Sequence, residues 1–80
     1  MAEVTIRFFA AAREAAGMPA ESAKGATLAD VIAGLNHDGP LGPVLSVATF
    51  LVNGTYRPLT DLTPLPAGAT IDVLPPFAGG

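Results

Sequence analysis

The chain has 80 residues, of which 50% are hydrophobic and 14% are charged. Seven acidic residues against four scattered basic ones give a net charge of −3, which disfavours binding to a nucleic-acid backbone. The length fits one domain with one small core, and the absence of cysteine excludes disulfides, thiolate metal sites and a thiol nucleophile in the chain. No apolar run approaches the roughly 20 residues that span a bilayer, so we expect a soluble, cytoplasmic protein.

The first part of the chain predicts two strands on either side of a helical turn. Residues 4–9 are rich in β-branched and aromatic residues, with Val4 on one side of the strand and Phe9 on the other. Residues 10–16 are rich in alanine and are followed by glycine and proline, which predicts a helical turn. Residues 20–24 are short and lack β-branched side chains, which favours an edge strand.

The main helix is predicted over residues 27–35. Thr27 has the form of an N-cap with Asp30 at the third helical position, and apolar residues then recur at helical spacing. The sequence Asn-His-Asp-Gly-Pro at 36–40 predicts the end of this helix. Residues 41–46 contain a proline and are predicted to form an irregular connection.

The second half of the chain predicts three strands. Residues 47–53 are apolar and β-branched enough for a core strand. The pair Asn53-Gly54 predicts a type I′ turn, because that turn needs positive φ at both central residues, and residues 55–58 would return as a short strand. Residues 61–68 are rich in proline and glycine, which indicates an irregular crossing, and residues 70–74 form the last strand.

These elements predict an α+β fold in which a mixed sheet of four or five strands carries the main helix on one face. Residues 1–74 would form the domain, and residues 75–80 a flexible C-terminal tail. The opposite face of the sheet is left open, and Phe9 and Leu74 fall on it, with Tyr56 extending the same surface. This surface is a candidate partner site. The alternative, that these are ordinary exposed apolar residues, stays open at this point.

The sequence offers no familiar catalytic constellation. His37 is the chain's single histidine and is predicted to be a solvated loop residue in a polar turn. Asp30 is explained by helix capping, Asp61 by a loop and Asp72 by an exposed strand position. None of these carboxylates has a sequence neighbour arranged for acid–base work. Chemistry that involves this chain is therefore expected to be performed on it by another protein.

The most informative segment is the end, where Gly79-Gly80 follows Pro75-Pro76-Phe77-Ala78. Two residues without Cβ can lie extended in a channel too narrow for a side chain, which leaves the carboxylate of Gly80 unhindered. The lead into the glycines is unlike the composition of a flexible linker. A frayed tail is the alternative that the composition leaves open.

Three segments, taken together, resemble the MoaD/ThiS sulfur-carrier family of ubiquitin-like β-grasp proteins. They are Ile6-Arg7-Phe8-Phe9-Ala10 with Arg13-Glu14 and Gly17, then Val52-Asn53-Gly54, and finally the strand that leads into Pro75-Pro76-Phe77-Ala78-Gly79-Gly80. The resemblance covers essentially the whole chain. The Phe-Phe-Ala followed by Arg-Glu favours the MoaD branch, which comprises small subunits of molybdopterin synthase, over the ThiS branch of the thiamine pathway.

The resemblance implies a route for sulfur through Gly80. An E1-like, MoeB-like adenylyltransferase would use ATP to adenylate its carboxylate, and a sulfurtransferase system would convert the acyl-adenylate to a thiocarboxylate. The sulfur would then be transferred to cyclic pyranopterin monophosphate in the MoaE-like large subunit of molybdopterin synthase, and no cofactor would be bound permanently. The resemblance assigns tail threading to Gly79, Ala78 and Phe77, and partner docking to Phe9, Tyr56 and Leu74.

Two further interpretations remain beside the molybdopterin carrier. One is a carrier that feeds thiamine, cysteine or tRNA thiolation. The other is a ubiquitin-like conjugation or interaction module. As a carrier, the chain would be a non-catalytic subunit of a sulfurtransferase rather than an enzyme on its own.

Overall fold

The computed structural model describes residues 2–35 and 37–76. Within these ranges the chain forms five strands and three helices. In chain order they are β1 (Ala2–Phe8), α1 (Ala10–Ala16), β2 (Ala20–Gly25), α2 (Leu28–Ala33), α3 (Leu41–Val47), β3 (Thr49–Val52), β4 (Thr55–Tyr56) and β5 (Thr70–Leu74).

The strands form one mixed sheet in the order β2-β1-β5-β3-β4. β1 and β5, from the two ends of the chain, pair in parallel at the centre, and all other pairs are antiparallel. The predicted mixed α+β sheet is therefore confirmed, and β2 lies at an edge as its composition indicated.

The helices cover one face of the sheet because alternate strand residues are apolar. Along β1 every second residue from Val4 to Phe8 is buried, while Thr5 and Arg7 between them are exposed. The same alternation places Ile71 and Val73 of β5 in the core, each with no exposed surface. The helices contribute Leu28, Val31, Ile32, Leu41 and Leu45. The other large core residues are Phe50 and Val52 of β3, and Leu35 and Leu65 from the connecting segments.

The main helix begins where its cap was predicted. The Thr27 side chain accepts a hydrogen bond from the Asp30 amide at 3.2 Å, and the Asp30 carboxylate accepts one from the Thr27 amide at 3.3 Å. This reciprocal pair satisfies two amides that have no partner inside the helix. The helix ends at Ala33, slightly before the predicted end, with Gly34 at its C-cap.

The helical turn predicted after the first strand is confirmed as α1. Gly17 closes it in the left-handed region at φ 75°, and its amide donates to the carbonyl oxygen of Arg13. At the other end β1 stops at Phe8, one residue earlier than predicted, and Phe9 is the N-cap of α1. The next residue, Ala10, has a positive φ of 49° and turns the chain out of the strand.

The prediction of an irregular connection at residues 41–46 is wrong, because α3 occupies Leu41–Val47. Pro43 does not break this helix, since it stands in the first turn, where amides have no intrahelical acceptor. Leu41 and Leu45 are one turn apart and both buried. The helix also shortens the following strand, which starts at Thr49 rather than at residue 47.

The predicted tight turn at Asn53-Gly54 is confirmed. Both residues have positive φ, 50° and 83°, as a type I′ turn requires. The turn is also tied to the neighbouring strand, because the side-chain oxygen of Asn53 accepts a hydrogen bond from the amide of Thr70 at 2.9 Å. The return strand β4 is only two residues long, shorter than predicted.

In the part of the chain that the structure describes, none of the helices has the length and apolar character needed to cross a membrane.

The predicted boundary between a domain and a tail after residue 74 stays a prediction. Pro75, directly after β5, is buried, and Pro76 is exposed.

Candidate functional site

The parallel pairing of β1 and β5 places Phe9 next to the C-terminal end of β5. Phe8 is in register with Val73, so Phe9 and Leu74 follow at the same end of neighbouring strands. The amide of Phe9 donates to the carbonyl oxygen of Val73 at 3.2 Å, which keeps Phe9 fixed to β5. The chain then continues from Leu74 into the segment that carries the two glycines.

A row of four residues crosses the open face of the sheet from β1 to β4. Arg7 is in register with Asp72, Asp72 with Leu51, and Leu51 with Tyr56. With strands about 4.8 Å apart, this row spans roughly 14 Å. Phe9 and Leu74 lie just beyond it, towards the end where β5 finishes.

We call the apolar members of this surface the open-face patch. It consists of Phe9, Leu51, Tyr56 and Leu74. Phe9 is 38% exposed and Tyr56 62%, whereas Leu51 and Leu74 are half-buried. Exposed apolar side chains grouped on one sheet face are typical of protein-binding surfaces.

An ion pair lies in the middle of the open face. The Arg7 guanidinium donates from Nε to Oδ1 of Asp72 at 2.7 Å and from Nη2 to Oδ2 at 2.9 Å. The hydrogen bond to Asp72, together with the charge of its carboxylate, raises the pKa of Arg7 above its usual value. The guanidinium carbon also lies 5.5 Å from the centre of the Phe9 ring, within the range of a cation–π contact.

The expectation that Asp72 is exposed is wrong. Its residue surface is only 7% exposed, and Arg7, whose side chain is 52% exposed, covers it. The reason is the strand register, which sets the two residues side by side on the central pair of strands. A carboxylate in this position is stabilised by two hydrogen bonds to one cation, an arrangement stronger than a single neutral bond.

The predicted site residues fall into two groups. Phe9, Tyr56 and Leu74 lie on the same face of the sheet, as expected, although β3 lies between Tyr56 on β4 and Leu74 on β5. Their role in docking stays a prediction. The tail residues Phe77, Ala78, Gly79 and Gly80 lie outside the described residues.

Two features of the open face were missed by the sequence analysis, namely Leu51 and the ion pair between Arg7 and Asp72. Leu51 carries a signal in retrospect, because it alternates with the buried Phe50 and Val52 and must face the open side. The ion pair has no local signal, since its two residues are 65 positions apart.

The polar side chains that were considered for catalysis have structural partners instead. His37 is exposed, as predicted, and its Nε2 lies 2.8 Å from the carbonyl oxygen of Ile32. Asp30 caps α2, and Asp61 accepts hydrogen bonds from Thr63 in the crossing before β5. Among residues 2–35 and 37–76, no group of three or more acidic or histidine side chains could hold a metal ion.

The mixed five-stranded sheet with helices on one face is a ubiquitin-like β-grasp fold. Solved structures match it over nearly their whole length. More specifically, the sequence profile of the ThiS family matches residues 6–80. The chain belongs to the ThiS family, and its fold is that of a ThiS/MoaD-like sulfur carrier.

Several solved structures are similar to this chain, among them the following three. The small archaeal modifier protein 1 from Methanosarcina acetivorans has 33% identity and a TM-score of 0.81, covering 100% of this chain and 98% of its own. The Haloferax volcanii HVO 2177 protein has 30% identity and a TM-score of 0.77, with coverages of 99% and 87%. The third is in a complex of subunits 1 and 2 of the molybdopterin-converting factor from Helicobacter pylori 26695, with 29% identity, a TM-score of 0.75 and coverages of 98% and 99%. A comparison with curated protein sequences found no match.

Proposed function

We propose that the chain is the sulfur-carrier subunit of a molybdopterin synthase. The observation that carries the proposal is the family match, which runs through the terminal glycines to residue 80. The choice of molybdopterin among the carrier pathways is supported by the similarity to a molybdopterin-converting factor that was solved as a complex of its two subunits.

In this proposal the carboxylate of Gly80 is the reacting group. Attack of a carboxylate oxygen on the α-phosphorus of ATP, in an E1-like activating enzyme, gives an acyl-adenylate and releases pyrophosphate. Hydrosulfide, supplied by a sulfurtransferase system, then attacks the carbonyl carbon, forms a C–S bond and displaces AMP, which leaves a thiocarboxylate. A carboxylate alone is a poor acyl donor, and adenylation supplies the leaving group that it lacks.

The thiocarboxylate sulfur is then transferred to cyclic pyranopterin monophosphate in a MoaE-like large subunit. Gly79 and Gly80 suit a narrow channel because neither has a Cβ. The open-face patch lies beside the point where β5 ends at Leu74, so a partner that holds the patch also holds the start of the tail. We assign Phe77 and Ala78 to the segment that connects the two.

Sulfur loading can be tested by the intact mass of the chain. The protein is incubated with ATP, a sulfur donor, the activating enzyme and the sulfurtransferase, and fragmentation locates any change. We expect a mass gain equal to the replacement of one oxygen by sulfur, confined to Gly80. A matched variant with one residue appended after Gly80 should fold normally and remain unloaded, because its reactive carboxylate has moved.

Loading of the extended variant at its internal Gly80 would contradict the mechanism. If partners of known activity leave the native chain unchanged, the carrier proposal is wrong. Loading followed by transfer of sulfur only when a large synthase subunit is present would distinguish a molybdopterin carrier from carriers for thiamine, cysteine or tRNA thiolation.

A second candidate function is protein conjugation. It is favoured by the similarity to a small archaeal modifier protein, at 33% identity over the full chain. Conjugation would begin with the same adenylation, but a lysine amine rather than sulfur would displace AMP. The same mass measurement, repeated with candidate target proteins, separates the two functions, because conjugation gives an amide-linked product that contains both chains.

A further inference from the structure

The ion pair on the open face leaves part of the Arg7 guanidinium unused. A guanidinium has five N–H groups. Within the described residues, Arg7 uses one on Nε and one on Nη2, both donated to Asp72. Three N–H groups therefore have no acceptor among residues 2–35 and 37–76, and since 52% of the side chain is exposed, water can reach them in the free chain.

The N–H groups of Arg7 that lack an acceptor lie beside the open-face patch, so a partner that binds there affects their hydration. The guanidinium carbon lies 5.5 Å from the centre of the Phe9 ring, and the row from Arg7 continues through Asp72 to the apolar residues Leu51 and Tyr56. A partner that covers the open-face patch therefore also covers Arg7 and displaces its water. Buried donors without an acceptor oppose binding, so a purely apolar partner surface would fit this face poorly.

The charge balance indicates which kind of acceptor fits. Asp72 already neutralises Arg7, and its carboxylate is nearly buried. A second carboxylate brought to the same guanidinium would lie close to Asp72 in a partly dehydrated interface and would be repelled by it. A neutral oxygen satisfies the free N–H groups without this repulsion.

We propose that the partner subunit which covers the open-face patch presents main-chain carbonyl oxygen to the free N–H groups of Arg7. Arg7 is then a specificity determinant of docking, held in position by Asp72. The inference rests on the proposed function, because it requires a protein partner that docks on this face during sulfur transfer.

The test replaces the ion pair by apolar residues of similar size. Arg7→Met combined with Asp72→Leu makes the row from residue 7 to Tyr56 continuously apolar and leaves no unpaired charge in it. The probe is subunit 2 of the Helicobacter pylori molybdopterin-converting factor, and its dissociation constant is measured by calorimetry against the native chain and the variant. We expect binding to weaken about tenfold or more, because the partner's carbonyl loses a charged donor. The control is Lys24→Met, which removes an exposed cation at the far end of the same face and should leave the affinity unchanged.

Thermal unfolding of each variant shows whether it is folded. A folded double variant that binds as tightly as the native chain, or more tightly, overturns the inference.

The salt dependence of binding tests the kind of acceptor. If the acceptor is a neutral carbonyl, the logarithm of the dissociation constant should change with the logarithm of the salt concentration by the same slope in the native chain and in the double variant. A steeper slope for the native chain would indicate a partner carboxylate and would also overturn the inference. If the native chain does not bind at all, the inference fails, and sulfur loading at Gly80 decides separately whether the proposed function fails with it.

Discussion

Among single residues, Asp61 shows how the irregular crossing before β5 is held in shape. Its Oδ1 accepts hydrogen bonds from the amide of Thr63 at 2.9 Å and from the Thr63 hydroxyl at 2.6 Å. Arg57 donates to the carbonyl oxygen of Thr63 at 3.2 Å from the other side. The hydroxyl bond, followed by the amide bond, lowers the pKa of Asp61 below its ordinary value of 3.8.

A lowered pKa in the folded chain means that ionised Asp61 contributes stability above pH 3.8, and that this contribution is lost as the pH falls through the lowered value. Thr63→Val removes the hydroxyl that has the largest effect. We therefore expect the pKa of Asp61 to rise towards its ordinary value and the acid-dependent loss of stability to shrink. An NMR titration of the Asp61 carboxyl carbon measures the pKa directly.

The control for this titration is Thr60→Val, which changes an exposed threonine next to the turn and should not move the pKa of Asp61. An unchanged pKa in Thr63→Val would show that the backbone amide alone sets it. Unfolding by urea at several pH values below 5 then tests whether the change in pKa appears in stability.

Among the elements, α2 depends on its N-terminal cap. Thr27 and Asp30 satisfy each other's amides through the capping box. Thr27→Ala removes the side-chain acceptor for the Asp30 amide and should lower the free energy of unfolding by about 1 kcal/mol. Thr27→Ser keeps the hydroxyl and should retain most of the stability. Urea unfolding of the three proteins checks this, and equal losses for both variants would show that the cap is not responsible.

The elements differ in how well the sequence predicts them. The start of α2 was predicted because a cap is a local pattern of residues three positions apart. The helix α3 was missed because Pro43 indicates a loop, whereas tertiary packing of Leu41 and Leu45 stabilises a helix. Gly42 is needed there because a Cβ at this position would collide with the backbone of His37.

The candidate site was predicted only in part, because the sequence shows local patterns but not contacts between residues that are far apart in the chain. Strand alternation is local, so it placed Phe9 and Leu74 correctly on the open face. The pairing of Arg7 with Asp72 depends on the register between the first and last strands, which no short segment encodes. Sequence alone therefore predicted an apolar surface and missed the polar group at its centre.

At the scale of the whole molecule, the proposed function assigns different roles to the two faces of the sheet. One face is buried beneath the helices and stabilises the fold. The other carries the open-face patch at the end where the chain leaves β5. Neighbouring residues of a strand point to opposite faces, so a stability residue and a docking residue can be adjacent in sequence. Phe8, which is 3% exposed, and Phe9, which is 38% exposed and which we propose to be a docking residue, are such a pair.

These two phenylalanines allow a matched test of the division. Phe8→Ala should lower the free energy of unfolding by about 3 kcal/mol or more, because it opens a cavity in the core. Phe9→Ala should change stability much less, and Phe9→Asp should weaken binding to the large synthase subunit while the chain stays folded, because a charge would be buried in the interface. Urea unfolding and calorimetric binding of the same three variants give both quantities. A cooperative loss of structure in Phe9→Asp would show that Phe9 belongs to the core, and unchanged binding would remove it from the docking surface.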